Sequence, residues 1–235
     1  MMVARRGNPT DASPNDVYAN ARQHMVEAQL RNRGVDDERV LDVMGRIPRE
    51  RFVLPRDQGS AYEDKAMSIE CGQTISQPYM VGLMTQLLEI QPDHRILEIG
   101  TGTGYQTAIL AALSQRIYSI ERVAELSETA AERLAEMGVA NVEFRVGDGT
   151  VGWAEEGPFD GIMVTAGAPS VPPALQAQLA DGGRLVVPVG EATYQTLTVI
   201  ERKGETTVER PNIACRFVPL IGQAGWDPQD ALGTS

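Results

Sequence analysis

The sequence predicts a doubly wound, mostly parallel α/β sheet with an N-terminal helical addition and a C-terminal β-hairpin. Three observations carry this. Short apolar runs alternate with helical patterns from Arg95 to Val189, one such run empties into a glycine-spaced turn, and the last two flank Lys203-Gly204. Strands separated by helical segments pair in parallel through right-handed crossovers. In such a sheet a ligand binds outside the carboxyl ends of the central strands.

The elements follow in order. Residues 1–16, rich in Pro, Asn, Asp and Ser, read as a disordered tail without the apolar stretch of a secretory signal. Val17, Ala21, Met25, Ala28 and Leu30 share a helical face, and Gly34 suits the stop. Val40, Leu41, Val43 and Met44 make a second short helix, ended by Gly45 and Pro48, and Arg51–Ile69 is irregular. Residues 17–70 thus form a helical layer added to a core spanning 71–226, within one domain of 17–226, with a second tail at 227–235. Within the core, Gly72 to Pro78 leads into a helix marked by Met80, Leu83, Met84, Leu87 and Leu88. Strand Arg95–Ile99, helix Tyr105–Leu113, strand Arg116–Ile120, helix Val123–Met137 and strand Val142–Val146 come next. Strand Phe159–Val164, a helix opened by Pro172-Pro173 and strand Arg184–Val189 follow, and Thr196–Ile200 with Val208 onward closes the chain as a hairpin.

Composition narrows the function. A formal net charge of −11, with lysines and arginines scattered, argues against a nucleic-acid partner, which would meet a basic face. No run approaches the apolar length of a membrane span. The two cysteines, Cys71 and Cys215, have no framework spacing and read as reduced thiols of a cytoplasmic protein. With only His24 and His94, a histidine-based metal site or triad is nearly excluded.

The chemistry concentrates at Leu97-Glu98-Ile99-Gly100-Thr101-Gly102-Thr103-Gly104-Tyr105. Glycines at 100, 102 and 104 let the chain turn sharply and a ligand approach the backbone, with N–H groups offered at a helix N-terminus. A dinucleotide fingerprint would carry its third glycine at Tyr105, so the turn leans away from a pyrophosphate. Three acids fall at successive strand ends. Glu98 is placed to help hold an ammonium, Glu121 to accept from both hydroxyls of a ribose, and Asp148 to meet the adenine side. Each alone is an ordinary loop acid. Together they point to adenosine bearing a cationic amino-acid tail.

Glu63-Asp64, Gly72-Gln73-Thr74-Ile75-Ser76-Gln77-Pro78, the glycine turn, Ser119-Ile120-Glu121-Arg122 and Gly147-Asp148-Gly149-Thr150 resemble the protein-L-isoaspartate O-methyltransferases. So do Val164 to Pro169, Pro188-Val189-Gly190 and Phe217 to Leu220, and the likeness runs from Arg22 to Trp226. The resemblance implies a Rossmann-like, class I S-adenosylmethionine-dependent fold without a metal, releasing S-adenosylhomocysteine. It also implies a monomeric repair enzyme that methylates the free α-carboxylate of L-isoaspartyl residues in damaged proteins and peptides. The ester then closes to a succinimide, whose hydrolysis returns part of the chain to aspartate. Position by position, Ser76 matches the family's active-site serine, and Thr74 and Ile75 share its loop. Glu98, Gly100, Thr101 and Gly102 match the cofactor turn, Glu121 the ribose acid, and Asp148 with Gly149 the adenine contact. Thr165, Ala166 and Gly167, with Val218 through its backbone, match the substrate cleft. Gly167 departs from a common alanine and Tyr79 from a frequent histidine.

The residues agree with that chemistry. A carboxylate acceptor is already ionised at neutral pH and needs no general base. Ser76 would orient the acceptor oxygen, although a serine before Gln77-Pro78 also looks like a helix N-cap. Three alternatives stand beside this reading. A nucleic-acid or small-molecule methyltransferase is disfavoured by the acidic charge and by Thr165-Ala166-Gly167-Ala168 where an Asn/Asp-Pro-Pro-aromatic motif would stand. A nicotinamide oxidoreductase lacks its third fingerprint glycine, and a silent binding module would be expected to lose Ser76 or the acids.

Overall fold

The computed structural model describes residues 17–229. The tails expected at 1–16 and 227–235 therefore lie outside the described residues, apart from Asp227–Gln229. Helix α1 (Ala19–His24) runs on through a π turn (Met25–Leu30) and a 3-10 turn (Arg31–Arg33), and Gly34 ends it at φ +90°. Helix α2 (Glu38–Arg46) is capped by Asp37, whose side chain accepts from the Arg39 N–H at 2.9 Å. It passes through Gly45, expected to end it, because Arg46 still fits the last turn and the Ile47 N–H reaches Val43 O.

The stretch from Arg51 to Ile69 is mostly 3-10 turns, followed by a two-stranded antiparallel ribbon of β1 (Met67–Ser68) and β2 (Thr74–Ile75). Helix α3 (Pro78–Leu87) then leads into the main sheet. Its strands are β3 (Arg95–Ile99), β4 (Arg116–Glu121), β5 (Val142–Val146), β6 (Phe159–Val164), β7 (Leu179–Glu191), β8 (Tyr194–Lys203) and β9 (Thr206–Cys215). Helices α4 (Tyr105–Leu113), α5 (Ala124–Glu136) and α6 (Pro173–Ala177) intervene.

The strand order is β5-β4-β3-β6-β7-β8-β9. Pairings are parallel from β5 to β7 and antiparallel from β7 to β9. The C-terminal hairpin is thus not an appendage. It extends the main sheet, because β7 is longer than Arg184–Val189 and pairs with β8 from Arg184 to Glu191. The chain builds outward from β3 to β5, then returns to the other flank of β3 with β6. That reversal opens a crevice at the carboxyl ends of β3, β4 and β6.

Strand alternation sorts the core into two layers. Ile96, Ile117, Met163 and Val186 face a layer that also takes in Met25, Leu30, Met44 and Phe52 from the N-terminal segment and Ile109 from α4. Leu97, Tyr118, Ile162 and Leu185 face the other layer, closed by Leu175 and Leu179 and, near the C-terminus, Leu220. Leu97 is fully buried on the central strand. Leu97→Ala is expected to cost about 2–5 kcal/mol, read as a lower urea midpoint at unchanged slope. Val208→Ala on the edge strand, 36% exposed, is expected to stay within about 0.5 kcal/mol.

Candidate active site

The glycine turn begins where β3 ends. Gly100 sits at φ +95° and its N–H reaches Ile120 O at 2.8 Å, so the turn stays stitched to β4 as it leaves the sheet. A Cβ on Gly100 would lie 2.3 Å from Thr165 Oγ1. That hydroxyl donates to Gly100 O at 2.8 Å and approaches Ile99 O at 3.0 Å. Backbone geometry and close approach therefore both demand glycine here.

Beneath the turn lies Glu98, fully buried. Its Oε2 accepts from Ser119 Oγ and from Thr107 Oγ1, both at 2.6 Å. Because Ser119 spends its single proton on Glu98, Thr101 Oγ1 must be the donor in the 2.6 Å contact with Ser119 Oγ. Glu98 Oε1 has no hydrogen-bond partner. Burial pushes this carboxyl up to about 7 against the donation of Ser119 and Thr107. Glu98 thus acts from below the turn and not as a wall of the cleft.

Glu121 closes β4 and does face the cleft, though only 6% exposed. Its Oε2 accepts from the Gly102 N–H and its Oε1 from the Val123 N–H, each at 3.0 Å. Each oxygen keeps a lone pair free for a further donor. A bidentate carboxylate beside a glycine turn fits a ribose diol, and among the described residues two backbone amides hold it in place.

The opposite wall comes from the loop Gln73–Ser76, positioned by the β1–β2 ribbon, in which Met67 pairs with Ile75. The N-cap of α3 is Gln77, and its side chain makes no cap bond. Pro78 takes the first helical position, which makes Gln77 and not Ser76 the cap residue. The capping role is therefore not taken up by Ser76. Its hydroxyl has no partner among the described residues, and Ser76 lines the cleft. Its carbonyl accepts from Arg49 Nη2 at 2.7 Å.

The third wall is built by Thr165, Ala166 and the segment Val218–Ile221. The Gly167 N–H donates to Val218 O at 2.8 Å and the Leu220 N–H donates back to Gly167 O at 2.8 Å. Trp226 Nε1 adds a third contact to Gly167 O at 3.0 Å, anchoring the C-terminal segment. The buried amide of Gln195 accepts from the Phe217 N–H at 2.8 Å and also bonds Glu191 O. A Cβ on Gly167 would lie 2.8 Å from Gln195 Cδ, so the glycine at this position makes room for that amide.

Of the residues expected at the site, Thr74, Ile75, Ser76, Gly100, Thr101, Gly102, Glu121, Gly149, Thr165, Ala166 and Val218 line one cleft. Glu98, Asp148 and Gly167 do not. The Asp148 carboxylate is occupied locally. It accepts from Thr150 N and Oγ1 at 2.8 and 2.7 Å and from the Gln223 N–H at 2.8 Å, clamping the C-terminal segment. Tyr105, Gln106 and Arg122 also line the cleft although none was assigned a role there; Tyr105 and Arg122 stand at the ends of two of the motifs, and Gln106 lies in none. Arg49 and Gln195 also escaped, since their roles depend on contacts remote in sequence. Cys71 lies outside the lining, and desolvation with the nearby Glu125 carboxylate pushes its thiol up, away from a nucleophile's range.

Residues 20–225 match the family Protein-L-isoaspartate(D-aspartate) O-methyltransferase. A Trichlorobacter lovleyi protein-L-isoaspartate O-methyltransferase is 52% identical over 207 residues, covering 88% of this chain and 95% of the relative. A solved protein-L-isoaspartate O-methyltransferase superposes with TM-score 0.77 at 30% identity, covering 87% of this chain and 67% of that one. A Plasmodium falciparum structure, described as a protein-L-isoaspartate O-methyltransferase in complex with S-adenosyl-L-homocysteine, superposes with TM-score 0.74 at 27% identity. It covers 85% of this chain and 98% of that one.

Glu98 gives the site a pH signature. Its carboxyl ordinarily titrates near 4.5 and in the fold near 7, so between those values the folded state keeps a proton the unfolded state has lost. Stability then falls as pH rises through that window and levels off above it. Glu98→Gln removes the effect. The stability of the variant relative to the parent is expected to rise between pH 4.5 and pH 7, by an amount of order 3 kcal/mol. Urea unfolding at pH 5 and pH 8 checks it, and a difference independent of pH would count against the assignment.

Proposed function

The chain belongs to the protein-L-isoaspartate(D-aspartate) O-methyltransferase family, and from that premise we propose how its cleft works. The enzyme methylates the free α-carboxylate of L-isoaspartyl residues in proteins and peptides, with S-adenosylmethionine as donor, and so begins the repair of the damaged linkage. The observation that carries this reading is the composition of the cleft. Its lining holds no histidine, lysine or cysteine, and it joins the Glu121 carboxylate at one end to an uncommitted Ser76 hydroxyl at the other. A cleft so equipped suits a nucleophile that arrives already ionised, and an α-carboxylate, with a reference pKa of about 3.5, does so.

S-adenosylmethionine, when bound, supplies a methyl group on a sulfonium centre. Glu121 offers its two free lone pairs to the ribose hydroxyls, and the backbone of Gly100, Thr101 and Gly102 admits the tail closely. Glu98 supports that turn from beneath through Ser119 and Thr101, and Gly149 gives the adenine side room, packed against Ile99. Asp148 contributes by holding Gly222–Ala224 in place. Thr74 and Ile75 carry Ser76, whose hydroxyl would donate to one oxygen of the acceptor carboxylate and so orient the group. Thr165, Ala166, Gly167 and the Val218 backbone bound the acceptor peptide. Alignment of this kind is worth about 7–11 kcal/mol in well-oriented systems, and a sulfonium donor paired with a carboxylate acceptor would lose both charges on transfer, a change that exclusion of water would favour.

Residues 17–226 act as one domain in this reading, supported by the apolar layer that the N-terminal segment shares with α3 and α4. A cytoplasmic location is proposed on the unpaired Cys71 and Cys215, and a monomer on the family resemblance alone. No helix among the described residues is long and apolar enough to cross a membrane.

The assay uses labelled S-adenosylmethionine with matched isoaspartyl and aspartyl peptides. Base-labile label is expected on the isoaspartyl peptide alone, and equal label on both or on neither refutes the reading. Ser76→Ala is expected to lower kcat/KM by about 10–1,000-fold while calorimetry finds the S-adenosylhomocysteine Kd within about threefold. Glu121→Gln is expected to do the reverse, weakening S-adenosylhomocysteine by about tenfold or more.

A further inference from the structure

Arg49 is the largest fully buried side chain of the protein, and it has no carboxylate partner among the described residues. Its Nε donates to Ala61 O at 2.8 Å and its Nη2 to Ser76 O at 2.7 Å. The guanidinium carbon stands 4.8 Å from the centre of the Tyr105 ring. The nearby acid, Glu50, is already engaged by Arg22 at 3.3 Å and by the Tyr62 hydroxyl. Two polar atoms in this spot, Arg49 Nη1 and Tyr105 Oη, have no hydrogen-bond partner.

A desolvated cation whose neighbours are carbonyls and the Tyr105 phenol, with no carboxylate beside it among the described residues, is costly, at several kcal/mol for an isolated ion. Here the cost falls directly behind two residues of the cleft wall, Ser76 and Tyr105. The proposed reaction brings two carboxylates into that cleft, the α-carboxylate of the acceptor and the methionyl carboxylate of the donor. The lining itself carries no buried cation: its arginine, Arg122, is exposed.

We propose that Arg49 is the buried counter-charge for a carboxylate held at the Ser76 end of the cleft. It is a positioning residue, acting through its grip on the Ser76 carbonyl and through its field, since its own atoms are sealed from the cleft. The inference rests on the methyltransferase reading. It also gives the N-terminal layer a part in the chemistry, since the turn Arg49–Phe52 sets the Arg49 guanidinium behind the acceptor loop.

The test compares Arg49→Met and Arg49→Lys with the parent enzyme, each checked for folding by circular dichroism. Measured are the peptide KM at saturating donor, and the calorimetric Kd of S-adenosylhomocysteine and of its decarboxylated analogue. Arg49→Met is expected to raise the peptide KM at least about tenfold with both Kd values unchanged if the acceptor is the anion served. If it is the donor tail, Arg49→Met weakens S-adenosylhomocysteine by that factor and spares the decarboxylated analogue. In either arm Arg49→Lys recovers most of the loss. No change in any of the three quantities, equal weakening of both donor analogues, or failure of Lys to rescue overturns the proposal. Should Arg49→Met not fold, the parent enzyme decides. An isoaspartyl peptide is compared with its α-carboxamide as inhibitor, and S-adenosylhomocysteine with its decarboxylated form. Less than a threefold preference for the carboxylate in both pairs also overturns it. If the parent fails to methylate isoaspartyl peptide at all, the functional reading falls, while the donor arm still reports on Arg49.

Discussion

The cleft depends on one buried carboxylate. Glu98 sits inside β3, and its Oε2 gathers hydroxyls from Ser119 on β4 and Thr107 on α4. Ser119 in turn takes the Thr101 hydroxyl, so the glycine turn is bolted to the sheet from below. Leaving a buried hydroxyl or carboxyl without its hydrogen bond is expensive, so these contacts are kept whether or not Glu98 carries its proton. The turn is thereby fixed before a ligand arrives, with Gly100 and Thr165 closing the gap between β3 and β6.

The two ends of the cleft are built differently. The donor end rests on strand termini and their amides: Glu121 is oriented by Gly102 and Val123, and the surrounding residues are buried core. The acceptor end is assembled from loops that would wander if nothing tied them. Arg49 holds the Ser76 loop, Asp148 and Thr150 hold Gln223 and Ala224, and Gln195 holds Phe217. This division matches what each partner asks of a repair enzyme. The donor is one small molecule with a fixed shape, whereas the acceptor is a single altered linkage embedded in many different peptide surroundings.

Much of the fold was legible because local chemistry and tertiary structure agree. Tyr105–Leu113, Val142–Val146 and Phe159–Val164 stand where periodicity places them, since each starts directly after a Gly, Asn or Pro and carries a plain pattern, an apolar helix, an alternating strand and a mostly apolar strand. The boundaries that shifted have physical reasons. Helix α2 passes Gly45 because a single glycine costs a helix only about 1 kcal/mol, and its apolar face is buried either way. Strand β7 outgrows its apolar centre because pairing with β8 satisfies backbone groups whatever side chains they bear.

At the site, residue type and spacing marked residues that line one cleft: the glycines at 100 and 102, Glu121, Ser76 and Thr165. Which marked residues face the cleft was settled only by folding. Glu98 and Asp148 both end strands as acids, yet one is pulled under the turn by Ser119 and Thr107 and the other is spent on Thr150 and Gln223. Ser76 lost its capping role to the geometry at Pro78. Arg49 and Gln195 were invisible because a lone arginine or glutamine carries no pattern; their partners lie 12 to 27 residues away for Arg49 and 22 for the Phe217 contact of Gln195. The chain's own letters determined the sheet, the turn and the reacting groups, which are local in origin. Tertiary structure alone decided how charge and hydrogen bonds are shared among them, because that sharing exists only between segments brought together from a distance.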